Sequence, residues 1–468
     1  MKDLRELISV SSLNQLNGDI GTLAELVAQN KSREEAKKTI GKTDHHFNVI
    51  YKNLKDRLME GVLVNDFKNT SKVQRRQFSI RKQYEESIFL IQSGRMIAGI
   101  PSARACMHKA EKNGLFQIAL DLSRELSRYF GTIMGDVKKY KYYSERMKLY
   151  REELNKELSV EEVYFDLGFH LKNGLSVDGF KIKLEELGKI KSISYRFNYM
   201  YFELLALWHR IYRNDEALFQ TCEDALNHFS GYNYPLPYVT KWSWYFQQIP
   251  MYLANGDYFK AEQCLTRCFE GPEKGTINWY LTWQFRALYG FYSNKPMIAF
   301  AAWKKTTSLP KNFRNELMEE NWLIIRAYLE LLVKSNRIEP IGTWRLNRFL
   351  NSVGQSNLEK EGKNISIIIV ELLHLLADKK LERYSTRCEK LDDYIKTHLN
   401  NVEQSRAKLF LRLLQCIVRG GFKKKEANNK GREYLRTLIK SNSMVSTDVR
   451  EVEIIPFEML WEMAIGWL

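Results

Sequence analysis

Three small groups of residues could do chemistry, and their spacing decides how far each can go. Cys264 and Cys268 stand four residues apart, so a helix puts both thiols on one face. Two thiolates are half of a zinc site, and no second paired motif supplies the rest. Asp44-His45-His46 has the residue types of metal-assisted phosphoester hydrolysis. Adjacent histidines point to different sides of a helix, however, and the further aspartates are missing. Glu371-Leu-Leu-His374 puts a carboxylate and an imidazole on one helical face, but a two-iron site needs two such motifs and two more glutamates. The cysteine pair therefore reads as core packing, Asp44 as a helix start, and Glu371 with His374 as packing or surface. No phosphate-binding glycine loop, nucleophile elbow, H-E-x-x-H or kinase motif set is present. The chain reads as non-catalytic, with no cofactor and no metal.

Clustered cations suggest binding instead. Residues 68–82 carry six Lys/Arg and no acid, among them Lys72, Arg75, Arg76, Arg81 and Lys82. Residues 138–151 carry six against one acid, beginning with Lys138, Lys139 and Lys141 among tyrosines. Residues 419–440 carry eight against two, including Lys423, Lys424 and Lys425. Phosphate neutralisation needs such clusters, and neighbouring rings can stack on bases. Nucleic acid is therefore one partner class to weigh, against the plainer reading of a lysine-rich solvated surface. The net charge of +16 points the same way, towards an acidic partner.

The elements that must position these residues are helical. Gly (25) and Pro (9) are scarce in 468 residues, so turns are few and elements long. No series of alternating strands with Asn-Gly or Asp-Gly hairpins appears. The N-terminus is charged from Lys2 and lacks the apolar core of a signal peptide. No stretch approaches the roughly 20 apolar residues of a membrane span; Ile365 to Ala377 is short and holds Glu371 and His374. Six cysteines without pattern fit a reducing compartment, so a cytoplasmic protein is expected.

Residues 1–65 read as a separate section of three short helices, the third capped by Asp44 and carrying Phe47, Ile50, Tyr51, Leu54 and Leu58 on one face. Three helices in series also permit a helix-turn-helix. Residues 66–83 read as a basic linker or the start of a long helix. From residue 84 to 468 the pattern is serial helices, with Pro101 expected in a first turn and breaks at Asn113-Gly114, Asn255-Gly-Asp257 and Ser293-Asn-Lys-Pro296.

The breaks between residues 198 and 311 have a repeating context. Tyr245 and Tyr252 precede Gly256-Asp257, which is followed by Tyr258, Ala261, Leu265, Cys268 and Pro272. Trp283 and Ala287 precede Ala299 and Trp303; Tyr201, Leu204 and Trp208 precede Asn214-Asp215 and Ala217. This pattern resembles the tetratricopeptide repeat (TPR), whose unit is two antiparallel helices with a small-residue seam. Its marker alanines, Ala217, Ala261 and Ala299, are spaced 44 and 38 residues apart, longer than the family's repeat of about 34. The resemblance implies an all-α, TPR-like α-solenoid of antiparallel helix pairs behind a small helical N-terminal section.

In that family the first helices line a concave face. The register then implies a groove of Phe202, His209, Arg210, Phe246, Leu253, Gln284, Leu288 and Tyr292, apolar with a basic edge. The opposing reading makes these residues core. A groove of this kind suits a protein or peptide partner with apolar anchors and acidic groups. The apolar C-terminus, with Trp461, Ile465 and Leu468, either docks on earlier helices or makes a homodimer contact. The leading expectation is a non-catalytic scaffold or adaptor; a nucleic-acid-binding or regulatory protein is the alternative.

Overall fold

The computed structural model describes residues 3–4, 7–8, 17–64, 72–212, 214–232, 236–309, 316–353, 365–398, 405–441 and 453–468. Every regular element among the described residues is a helix, as the periodicity predicts. The chain forms two compact units, Met1–Leu158 and Ser159–Leu468. The sequence reading set residues 84–468 together. The division instead falls inside an uninterrupted helix, Val137–Lys172, where hydrophobic periodicity leaves no mark.

In the first unit, α1 (Gly18–Ala28), α2 (Arg33–Ile40) and α3 (Asp44–Val64) enclose Leu23, Val27, Phe47, Leu54 and Leu58. Ser32 and Glu35 close a capping box on α2. Thr43 rather than Asp44 caps α3: its hydroxyl accepts from the His46 N–H at 3.4 Å, while Asp44 sits in the first turn and pairs with Lys37. Then α4 (Lys72–Gln92), α5 (Met96–Lys112), α6 (Phe116–Arg128) and the first half of α7 (Val137–Lys172) share a core around Ala103, Cys106, Leu122 and Tyr150. From Lys72 the basic segment is thus helix. Pro101 lies inside α5 because that helix already begins at Met96.

The second unit continues with α8 (Phe180–Gly188), α9 (Tyr195–Ile211), α10 (Asp215–Ser230), α11 (Tyr238–Ala254), α12 (Tyr258–Cys268), α13 (Ile277–Tyr292) and α14 (Pro296–Thr307). It ends with α15 (Glu316–Lys334), α16 (Leu346–Val353), α17 (Ile365–Ala377), α18 (Leu381–Glu389), α19 (Leu391–His398), α20 (Ser405–Arg419), α21 (Lys424–Lys440) and α22 (Phe457–Gly466).

One turn recurs. After α11, the Gly256 N–H donates to the Leu253 carbonyl and the Asp257 N–H to the Tyr252 carbonyl, with Gly256 at φ +73°. This double bond satisfies the last carbonyls of a helix and needs a left-handed residue. Asn294, Asn336, Lys379 and Gly421 occupy the same place in matching turns. Positions 256, 294, 336, 379 and 421 are 38, 42, 43 and 42 residues apart.

Alternate helices are stitched by polar groups. The Tyr195 and Thr240 hydroxyls meet at 2.7 Å, joining α9 to α11. The Trp242 indole donates to Thr282 at 3.0 Å, joining α11 to α13. The Asn321 amide donates to Gln284 at 3.0 Å, joining α13 to α15. Tyr328 donates to the Ser366 carbonyl at 3.1 Å, joining α15 to α17. Around them a continuous apolar core runs from Trp242 to Ile465.

The C-terminal helix belongs to this core. Phe457, Leu460, Trp461, Met463, Ala464 and Ile465 of α22 are buried in it. Of the two readings of the C-terminus, docking on earlier helices is the one observed; the homodimer contact through this face is corrected, because the face is covered within the chain. Arg406 fixes the segment. Its guanidinium donates to both Glu453 oxygens at 2.8 Å, to Glu458 at 2.9 Å, and to the Leu438 and Ser441 carbonyls at 2.6 Å. Burial pushes the Glu453 carboxyl up, and the guanidinium opposes it.

Helix pairing relies on close approach at one glycine in particular. A Cβ on Gly290 of α13 would stand 2.6 Å from the Ala299 backbone nitrogen of α14. Gly168, inside α7, has nothing within 4 Å. Gly290→Ala is expected to destabilise by about 1–3 kcal/mol through overpacking, whereas Gly168→Ala should stabilise by about 0.5–1 kcal/mol by restricting the unfolded chain. Urea unfolding of the two variants beside the parent checks the opposite signs.

Candidate functional site

The groove expected from the repeat register is not formed. Phe246, Leu253, Gln284, Leu288 and Tyr292 are all buried. Phe246 stacks on Trp242 with centroids 4.4 Å apart and meets Phe285 edge-on at 4.8 Å. Gln284 accepts from Asn321, and the Tyr292 hydroxyl donates to the Glu453 carbonyl at 2.7 Å. These side chains join one first helix to the next, so they are core. Phe202 is half-buried against Phe229 and Trp244. His209 is half-buried and Arg210 exposed; burial lowers the His209 value.

The open surface lies one residue round the helix. Tyr245 and Arg267 are shared by two adjoining depressions on α10, α11 and α12, of about 580 and 650 Å³. The first is walled by Tyr232, Tyr238, Lys241 and Trp242, the second by Tyr252, Phe259 and Lys260. The floor of the second is polar: the buried Gln248 amide donates to Glu223, and the Cys264 thiol donates to the Gln248 oxygen at 3.6 Å. Lys260 stands 5.6 Å over the Tyr252 ring and 3.1 Å from Asp257. Gly271 admits the Tyr238 ring, which a Cβ would meet at 2.4 Å. Burial raises the Tyr245 phenol and pushes Tyr252 to about 12, so both stay neutral at physiological pH and can donate. Arg267 is held by Glu270 at 3.1 Å, while Lys241 has no ion-pair partner among the described residues. The arrangement offers flat rings and hydrogen-bonding groups beside cations and has no catalytic constellation. Tyr245 and Tyr252 are the aromatics that precede the Gly256-Asp257 turn in the sequence.

The cationic residues are all exposed. On α4, Lys72, Arg75, Arg76 and Lys82 follow helical spacing along one side and Arg81 faces another way; none has an ion-pair partner among the described residues. Residues 68–71 of that basic run lie outside the described residues. Lys138, Lys139 and Lys141 crowd the first turn of α7, where Lys139 pairs with Asp136 at 2.9 Å. Lys423, Lys424 and Lys425 open α21. Cations at a helix N-terminus oppose its dipole, so these lysines are not placed there by local stability.

The chemistry-bearing groups have structural duties. Glu371 accepts from Arg387 at 2.9 Å. His374 Nε2 donates to the Ala327 carbonyl at 3.0 Å, which leaves Nδ1 bare and without a partner, and its ring stacks on Trp344 at 4.2 Å. Cys264 and Cys268 lie in the seam of α12, and all six cysteines are free and buried. Among the described residues no group of three or more His, Cys, Asp or Glu is placed to hold a metal, and no helix is long and apolar enough to cross a membrane. No protein-family model, curated protein or solved structure matches the chain.

Burial raises every thiol, Cys106 to about 11 and Cys222, Cys264 and Cys388 to about 12. The native protein at pH 8 is therefore expected to leave all six thiols unreactive to a disulfide reagent, with full labelling after denaturation; fast labelling of any native thiol contradicts this burial. His374 is held down at about 3 by burial, against an ordinary value near 6.5. The native state thus binds fewer protons than the unfolded chain. Its contribution is complete above about pH 6.5 and is lost as pH falls toward 3. His374→Gln keeps a donor for Ala327 but cannot titrate, so the fall in unfolding midpoint between pH 7 and 5 should be smaller in the variant.

Proposed function

We propose that the second unit is a TPR-like α-solenoid of antiparallel helix pairs, acting as a non-catalytic scaffold or adaptor for a protein or peptide partner. The evenly spaced left-handed turns and the polar stitches between alternate helices support the repeat. Its period of 38–43 residues is longer than the family's, in keeping with long helices. Buried free thiols fit a reducing compartment such as the cytoplasm.

One observation carries the binding reading. Tyr245 and Tyr252 remain half-exposed over a hydrogen-bonded floor, with Lys241, Lys260 and Arg267 at the rim. Aromatic anchors at the centre and charges at the edge are the usual composition of a binding hot spot. The partner this surface fits is an extended peptide with apolar anchors flanked by Asp or Glu.

The test is fluorescence anisotropy with labelled acidic peptides bearing Leu or Phe anchors. Tyr245→Ala with Tyr252→Ala should cost about 2 kcal/mol or more, some thirtyfold in affinity, read at a temperature where a thermal melt shows the variant to be folded. Lys241→Glu should slow association and flatten its salt dependence. Equal binding by the parent and the double variant removes this surface from consideration.

A further inference from the structure

The first unit holds a second surface with different chemistry. A depression of about 680 Å³ lies between α5 and the start of α7. Arg104 and His108 reach it from one side, and Lys138, Lys139 and Tyr142 from the other; no carboxylate lines it. Lys139 is engaged by Asp136 at 2.9 Å, and His108 stands 3.6 Å from Glu111. Arg104 and Lys138 have no ion-pair partner among the described residues. Beside the cations the Tyr142 ring faces solvent at 43% exposure.

We propose that this depression binds single-stranded nucleic acid. Arg104 and Lys138 would neutralise successive phosphates, and the first turn of α7 adds its positive helix end. Arg146 stands 5.5 Å over one face of the Tyr142 ring, and a base would stack on the other. This ring is what separates the ligand from a simple anion: phosphate alone has no use for it. Neither the peptide surface of the second unit nor the repeat itself is needed for this site, so each stands or falls separately.

The experiment uses the full chain and a fluorescent twelve-nucleotide oligouridine, titrated at several salt concentrations. Binding should weaken with salt at a log–log slope of about −1.4, as expected for two neutralised phosphates on a single strand. Arg104→Gln with Lys138→Gln should lower affinity and flatten that slope. Tyr142→Ala should lower affinity about tenfold and leave the slope unchanged. These side chains are solvent-exposed, and a thermal melt verifies that each variant is folded. Binding that ignores all three substitutions overturns the proposal. So does competition by inorganic tripolyphosphate as strong as by unlabelled oligouridine at equal phosphate concentration, which identifies a simple anion site.

Discussion

Two helices pack only as closely as their bulkiest facing residues allow, and the second unit sets that distance with its smallest ones. Gly290 lies against the Ala299 backbone, and Gly420 repeats the arrangement against Ala427, where a Cβ would meet the nitrogen at 2.7 Å. Ala225, Ala261 and Ala302 are fully buried in the second helices of their pairs. Close approach within a pair leaves the large side chains to fill the space between pairs. Trp242, Phe246, Phe285 and Tyr328 do so, each on a first helix and each in the core.

That division of labour also explains the polar core. A Trp or Tyr between first helices brings an N–H or O–H with it, and a buried donor left unpaired costs about 1–3 kcal/mol. Thr282 and the Ser366 carbonyl receive the Trp242 and Tyr328 donors, and Thr240 shares a hydrogen bond with Tyr195. The buried Trp244, Trp283 and Trp322 indole nitrogens have no partner among the described residues. Arg406, 4% exposed, ties α20 to the end of α21 through the Leu438 and Ser441 carbonyls, and to the residues around the start of α22 through the Glu453 and Glu458 carboxylates. Removing one member would strand charge in the interior. The buried cluster therefore specifies where the C-terminal helix lies, and apolar contact alone would leave that position less defined.

Much of this was legible in the sequence. The all-helical class followed from scarce Gly and Pro; the turns at Asn113-Gly114 and Gly256-Asp257, the buried Ala261 and Ala299, and the intramolecular docking of the C-terminus followed from local pattern. The groove did not. Helices α11 and α13 are apolar around most of their girth, so periodicity fixes the spacing of a stripe but not which neighbour it meets. Phe246 and Gln284 are 38 residues apart, the same interval as the turns at 256 and 294, and both are buried. Phe246 and Leu253 are buried, and the half-exposed Tyr245 and Tyr252 stand one position before each. Lys379 in a left-handed turn and Pro101 inside α5 escaped for another reason: each takes a position its residue type disfavours, because the packed helices around it fix the backbone.

The same register indicates why the open surface lies where it does. Counting 38 residues on from Tyr245 reaches Trp283, whose ring is covered by Phe269 at 4.8 Å. Counting 38 on from Tyr252 reaches Gly290, the point of closest approach between α13 and α14. Where one pair has a glycine its neighbour has a tyrosine, too large to be enclosed between α11 and α12. Its ring is left at the rim, above Gln248 and beside Lys260. The same place in the later turns holds Leu332, Leu375 and Ile417, so a large residue is usual there and Gly290 is the departure. Those three side chains are buried whereas Tyr252 is half-exposed, so the depression depends on what covers this position and not on residue size alone.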